Sequence, residues 1–143
     1  MNAKEYLQQA YKIHKRIRLL RETNDVIRAD LYAAKSPQYN SDKIQSSVSG
    51  DAMERMIARA DEITRDLNEE LSRLIELQNR IRKQIDDMPG RCQSERQQRE
   101  CLYRRYVLFE RWEQIADDMN VSVRYVYMLH GNALKVFERL YKI

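Results

Sequence analysis

Glycine and proline are nearly missing from this chain. Its 143 residues include only Gly50, Gly90, Gly131, Pro37 and Pro89, where average usage would supply about ten glycines and about seven prolines. Sheets need turns, and turns need those residues. The shortage argues against a β-sandwich, a barrel or a glycine-rich phosphate loop, and for long uninterrupted helices rich in Arg, Glu, Gln, Leu and Ala. Long hydrophobic runs are lacking as well. The longest is a handful of residues, against the roughly 18 that a membrane span requires, so no membrane partner is expected. Met1 to Leu20 alternates apolar residues with Lys and Arg and has no continuous apolar core of the secretory kind, which makes the cytoplasm the expected location.

Two cysteines and two histidines limit the chemistry further. Neither His14 nor His130 joins Cys92 or Cys101 in a ligand cluster, so no metal and no cofactor are expected. A Cys92–Cys101 disulfide is one reading. The other, which a cytosolic chain favours, makes Cys101 a small buried apolar residue and Cys92 a linker thiol. No Ser/His/Asp or Cys/His arrangement recurs at catalytic spacing, and the carboxylates fall on amphipathic helices with i,i+4 partners. The chain is not expected to be an enzyme.

What is present is helical periodicity. Ala3, Tyr6, Ala10, Ile13, Ile17, Leu20, Asn24, Ile27 and Leu31 follow one another at steps of three and four, a heptad seam. Asn2 and Glu5 have the spacing of a capping box at its start. A helix over about 2–34 would be roughly 50 Å long, too long to bury its stripe inside a small globule, and so needs a partner helix. Asn24 falls on the seam, where a lone polar residue sets register or oligomeric state, or else marks a solvated turn. Residues 35–50 (KSPQYNSDKIQSSVSG) break the pattern with Pro37, Asn40, Gly50 and five serines and read as a loop.

A second helix is expected over 51–87, opened by Asp51 and Glu54 as another capping box and stopped by Met88-Pro89-Gly90. Its stripe is Met53, Met56, Ala60, Ile63, Leu67, Leu71, Leu74, Ile81 and Ile85. The two helices predict an antiparallel, coiled-coil-like hairpin over 1–90, which a second copy of the chain would extend to a four-helix bundle, a homodimer through the hairpin. Net charge supports the pairing: +3 over residues 1–34 and −3 over 51–90, with +1 over 35–50 and +3 over 91–143.

Residues 91–143 read as three shorter helices. Ser94 with Gln97 is expected to cap the first, whose inward face is Cys101, Leu102 and Tyr106. The next, about Arg111 to Met119, turns Trp112, Ile115, Ala116 and Met119 inward and stops at Asn120, a residue type that tolerates the left-handed conformation. Ser122 caps a last helix that buries Val126, Leu129, Ala133 and Leu134, with Val121 packed beneath the turn. Helix, tight turn and helix at this spacing predict a helix-turn-helix, and Ala116 is small where the helices cross. The expected fold class is all-α: the long N-terminal hairpin, then a helix-turn-helix domain over 91–143.

RECLYRRY (Arg99 to Tyr106), WEQIADDMNVS (Trp112 to Ser122) and VYMLHGNALKVF (Val126 to Phe137) together resemble region 4 of bacterial sigma-70 factors. There a leucine-and-tyrosine helix precedes an "E-x-I-A-x-x-φ-x-V-S" unit, φ apolar, and a recognition helix ending in "A-L". With its long helical first half and the HGNALK wording, the whole chain is similar to phage-encoded sigma-factor-like regulators of Gram-positive bacteria and their prophages. These include the ArpU and RinA-type late transcription regulators and a neighbouring phage family of unknown function. The resemblance implies sequence-specific binding of a promoter-like element in double-stranded DNA, in a bacterial host cell, with RNA polymerase as a further candidate partner. Carried over by position, Ser122, Val123, Arg124, Tyr127, Met128 and Gly131 face the bases. Sigma factors usually place Arg, Glu and Gln on this face, so Val123, Tyr127 and Met128 depart from the pattern.

The residues support a separate physical reading of the same face. Arg124 has the fork that engages guanine, Tyr127 and Met128 can meet thymine methyls, and Tyr125 can reach phosphate through its hydroxyl. In the competing reading Tyr125 or Tyr127 packs against the hairpin. Arg104, Arg105, Arg111, Lys135 and Arg139 are phosphate candidates or solvated surface charges. His130 is read as a phosphate or water contact and Trp112 as core. Two other functions fit the composition: the DNA-recognition small subunit of a phage packaging terminase, and an interaction protein that docks on polymerase or a sigma factor.

Overall fold

A computed structural model of the chain describes residues 1–35 and 50–143. These form α1 (Ala3–Lys35), α2 (Gly50–Asp86), α3 (Gln93–Tyr106), α4 (Trp112–Met119) and α5 (Val123–Tyr141), with no strand among the described residues. The fold class is therefore all-α, as the shortage of turn residues predicts. Apart from its end residues the expected loop 35–50 lies outside the described residues. Gly50 begins α2 instead of closing that loop.

Helix starts show where local chemistry sufficed. The Asn2 Oδ1 accepts the Glu5 N–H at 2.8 Å and the Glu5 carboxylate accepts the Asn2 N–H at 3.1 Å, a reciprocal capping box. Two other expected caps are not formed. Asp51 lies inside the first turn of α2, and α3 starts at Gln93 behind Cys92, whose side chain makes no capping bond. Ser94 is thereby inside the helix, and the Glu95 carboxylate instead accepts the Arg91 N–H at 2.8 Å. Both cysteines are free thiols, Cys101 buried and Cys92 exposed.

The described chain divides into two compact units, one of Met1–His14 with Arg73–Ile143 and one within Lys15–Ser72. The division does not follow the expected line at residue 90, because the ends of both long helices are built into the unit of short ones. Ala3, Leu7 and Ala10 have no exposed surface. The Tyr6 ring stacks on Phe137 at 6.0 Å, its hydroxyl bonds Gln84, and the Ala3 N–H donates to the Glu138 carboxylate. Ile81 and Ile85 of α2 and Met88 just beyond its end are buried, and the Gln78 amide donates to the Val107 carbonyl.

The centre of that unit is Cys101, Ile115, Ala116, Val126 and Leu129, with Trp112, Met119, Val121, Val123 and Tyr125 packed against it. Each apolar side chain removed from water here contributes about 1.5–3 kcal/mol. Phe109, in the turn between α3 and α4, has φ 57, a left-handed conformation that costs a bulky residue energy. Its ring stacks on His14 at 4.2 Å, which offsets that strain.

The second unit buries less. On α1 the covered residues are Ile17, Leu20 and Asn24, while Leu19, Val26 and Tyr32 are exposed. Thr23 and Thr64 turn their hydroxyls back onto the carbonyls of Leu19 and Ala60. No helix among the described residues is long and apolar enough to cross a membrane.

Candidate nucleic-acid interface

Everything at the C-terminal end depends on how α4 hands over to α5. Asn120 ends α4 with φ 60 and ψ 42, and the left-handed turn lets the Val121 N–H bond the Ala116 carbonyl at 3.0 Å, so the last carbonyls of α4 are satisfied. Ser122 is extended, and its Oγ accepts the Tyr125 N–H at 3.1 Å to start α5. The turn between the helices is therefore three residues, Asn120 to Ser122. Its compactness lets Ile115 and Ala116 of α4 share a core with Val126 and Leu129 of α5.

Burying Val126, Leu129, Ala133 and Phe137 on one side of α5 turns the opposite side outward. Arg124, Gly131, Lys135 and Arg139 are exposed there, as are Tyr127 (51%) and Met128 (50%). Of the residues expected to face bases, Arg124, Tyr127, Met128 and Gly131 thus share a face, and Ser122 is exposed at its start. Val123 does not belong with them, because it packs against the core. Asn132, also exposed, was missed by the sequence reading. It follows Met128 by four residues, a spacing that puts both on one face, and its side-chain amide is the type that pairs with adenine.

The expected phosphate contacts divide in the same way. Arg111, Lys135 and Arg139 are exposed. Arg104 is committed elsewhere: its guanidinium meets Glu100 at 2.9 Å, Glu110 at 3.2 Å and Asp118 at 3.1 Å, fastening α3 to the following turn and to α4. Arg105 lies over the rings of Trp112 and Tyr11 at 4.3 and 4.8 Å and donates to the Glu110 carbonyl. Tyr125 gives its hydroxyl proton to Gln97 at 3.0 Å. Trp112, expected in the core, is half-buried and touches Tyr127 and His130 with its ring.

His130 is corrected most sharply. Only 8% exposed, it faces inward, shares a 2.7 Å hydrogen bond with the Tyr106 hydroxyl and meets the Trp112 ring edge-on at 4.7 Å. Burial, with the charges of Lys4 and Arg105 added, pushes its pKa down to about 4. Burial likewise raises the Tyr106 hydroxyl and the Cys101 thiol to about 12. These groups are neutral in the fold at neutral pH, and the Cys101 thiol is inert as a nucleophile. Burial also raises the carboxyl of Glu110, where Asp118 competes for the same Arg104.

The result is a neutral, hydrogen-bonded interior beneath a cationic outer face, with no paired nucleophile and base on that face. Such a face can engage a polyanion and present side chains to a groove. Comparison of the chain with protein-family models, with curated proteins and with solved structures finds no match.

Proposed function

We propose that the chain is a sequence-specific DNA-binding transcription regulator of phage or prophage origin, with α4, the Asn120–Ser122 turn and α5 acting as a sigma-70 region 4-like helix-turn-helix on double-stranded DNA. One observation carries the reading. The left-handed turn at Asn120 and the Ser122 cap hold α5 against α4 by one side only, which leaves Arg124, Met128, Gly131 and Lys135 exposed together with Tyr127, whose ring rests beside Trp112. A helix of this kind fits the major groove, whose width admits one helix. The net charge of +3 over residues 91–143 and the exposed Arg111, Lys135 and Arg139 supply the attraction to phosphate.

Fluorescence anisotropy against duplexes enriched from a randomised pool tests it. Arg124→Ala is expected to lose about 1–3 kcal/mol on the enriched duplex and to relax preference at one base pair, whereas Lys135→Ala weakens all sequences alike. Failure to enrich any sequence at physiological salt overturns the proposal, because specific complexes exceed non-specific ones by at least about 10³ in affinity.

A further inference from the structure

Two glycines of the first unit have opposite surroundings. At Gly90 a Cβ would stand 2.9 Å from the Arg99 guanidinium, which donates to the Met88 carbonyl, so a side chain there would displace the end of that arginine. At Gly131 no heavy atom lies within 4 Å of where a Cβ would stand, and the backbone there is not left-handed. Glycine weakens a helix interior relative to alanine. Neither packing nor conformation of the chain requires it at this position, and its absence of a side chain leaves the α5 backbone open to close approach from outside.

Position 131 follows Tyr127 by four residues and Met128 by three, so all three are neighbours on the outer face of α5. Tyr127 and Met128 are half exposed, large apolar groups where base-reading helices carry amides and guanidinia. Tyr127 is held by the Trp112 ring at 5.2 Å. The missing side chain at Gly131 leaves open space beside these two apolar groups, and the exposed cations Arg124 and Lys135 lie on the turns before and after it. An apolar recess between two cations matches one feature of the major groove, the methyl group of thymine set between phosphate-bearing backbones.

We infer that Tyr127, Met128 and Gly131 form a thymine-methyl notch, in which the absent side chain at Gly131 lets the α5 backbone approach the base edge. This rests on the DNA-binding reading proposed above. The preferred site then contains a thymine-bearing step opposite the notch, read by apolar contact, beside the base pair read by Arg124.

The experiment uses the full chain and a duplex enriched from a randomised pool, rebuilt with deoxyuridine replacing thymine one position at a time. Loss of one contacted methyl is expected to weaken binding about fourfold, at one or two adjacent positions and nowhere else. Gly131→Ala is expected to raise the thermal unfolding midpoint while weakening binding to the same duplex about tenfold, a divergence that a purely structural role for the glycine does not produce. If a duplex is enriched but binds equally with uracil at every position, or if Gly131→Ala binds as tightly as the parent, the notch is overturned and DNA reading stands. If no duplex is enriched, both fall together.

Discussion

The three short helices and the Lys15–Ser72 unit are built on apolar stripes of similar regularity, yet they close to different degrees. Cys101, Ile115 and Val126 have no exposed surface and Leu129 has 1%. In the other unit Met53, Met56, Ala60, Ile63 and Leu67 are only half-buried, and Leu19, Val26, Tyr32 and Ile57 are exposed. The difference lies in the connections. Left-handed residues at Phe109 and Asn120 turn the chain back within a few residues, so that a side chain can be covered by more than one helix. A stripe on a long uninterrupted helix is covered only by whatever lies opposite it. Scarcity of glycine and proline thus has two outcomes, depending on whether other residues supply the turns.

Matched substitutions put the largest number on this contrast. Leu129→Ala, in the closed core, is expected to cost about 3–5 kcal/mol, and Leu20→Ala, buried at 6% exposure in a unit whose α2 stripe is half-buried, about 2 kcal/mol, because looser surroundings refill more easily. Urea denaturation of each full-length variant, followed by circular dichroism, gives both values. Equal losses would remove the distinction between the units.

Acid separates them next. Lys15–Ser72 contains no histidine, whereas the first unit buries His130, whose pKa falls from the ordinary 6.5 to about 4. A depressed histidine favours the neutral ring in the folded state, so its contribution is complete above pH 6.5 and is lost as pH falls from there towards 4. The loss is about 2 kcal/mol after allowance for residual solvent screening. Trp112, the single tryptophan, touches His130 and reports the transition by fluorescence. His130→Phe should flatten the stability profile between pH 6.5 and 4; an unchanged profile would assign the loss to carboxylates.

The same contrast explains what could be read from the sequence. Periodicity located the five helices of the described residues, and the local chemistry of Asn2, Asn120 and Ser122 was legible because each acts within four residues of itself. Leu7 and Phe137, both fully buried, were missed. Phe137 continues the Leu129–Ala133 row by four, but Leu7 sits beside a seam drawn through Tyr6, and both are covered, Tyr6 by the distant Phe137 ring and Gln84. Arg104, Arg105, Tyr125 and His130 were misread for one reason. Each is a polar residue near the right face, and its partner, whether Asp118, Trp112, Gln97 or Tyr106, is brought to it by tertiary packing. Arg124, Met128 and Lys135 raised no such difficulty, since a residue on the exposed side is placed by helix phase alone.

Asn24 offers the smallest and most discriminating change. It is 8% exposed, and its Oδ1 has no hydrogen-bond partner, so an amide oxygen has left water without compensation, at a cost of about 1–3 kcal/mol. Leucine has nearly the same volume and no polar atom. Asn24→Leu is therefore expected to stabilise the Lys15–Ser72 unit by about 1 kcal/mol, visible as a higher urea midpoint with an unchanged slope. A seam asparagine also restricts register and oligomeric state at the expense of stability, so sedimentation of the variant should show a broader range of assemblies than the parent. Destabilisation by leucine would mean that the amide is satisfied in solution, as the His130 ring is by the Tyr106 hydroxyl.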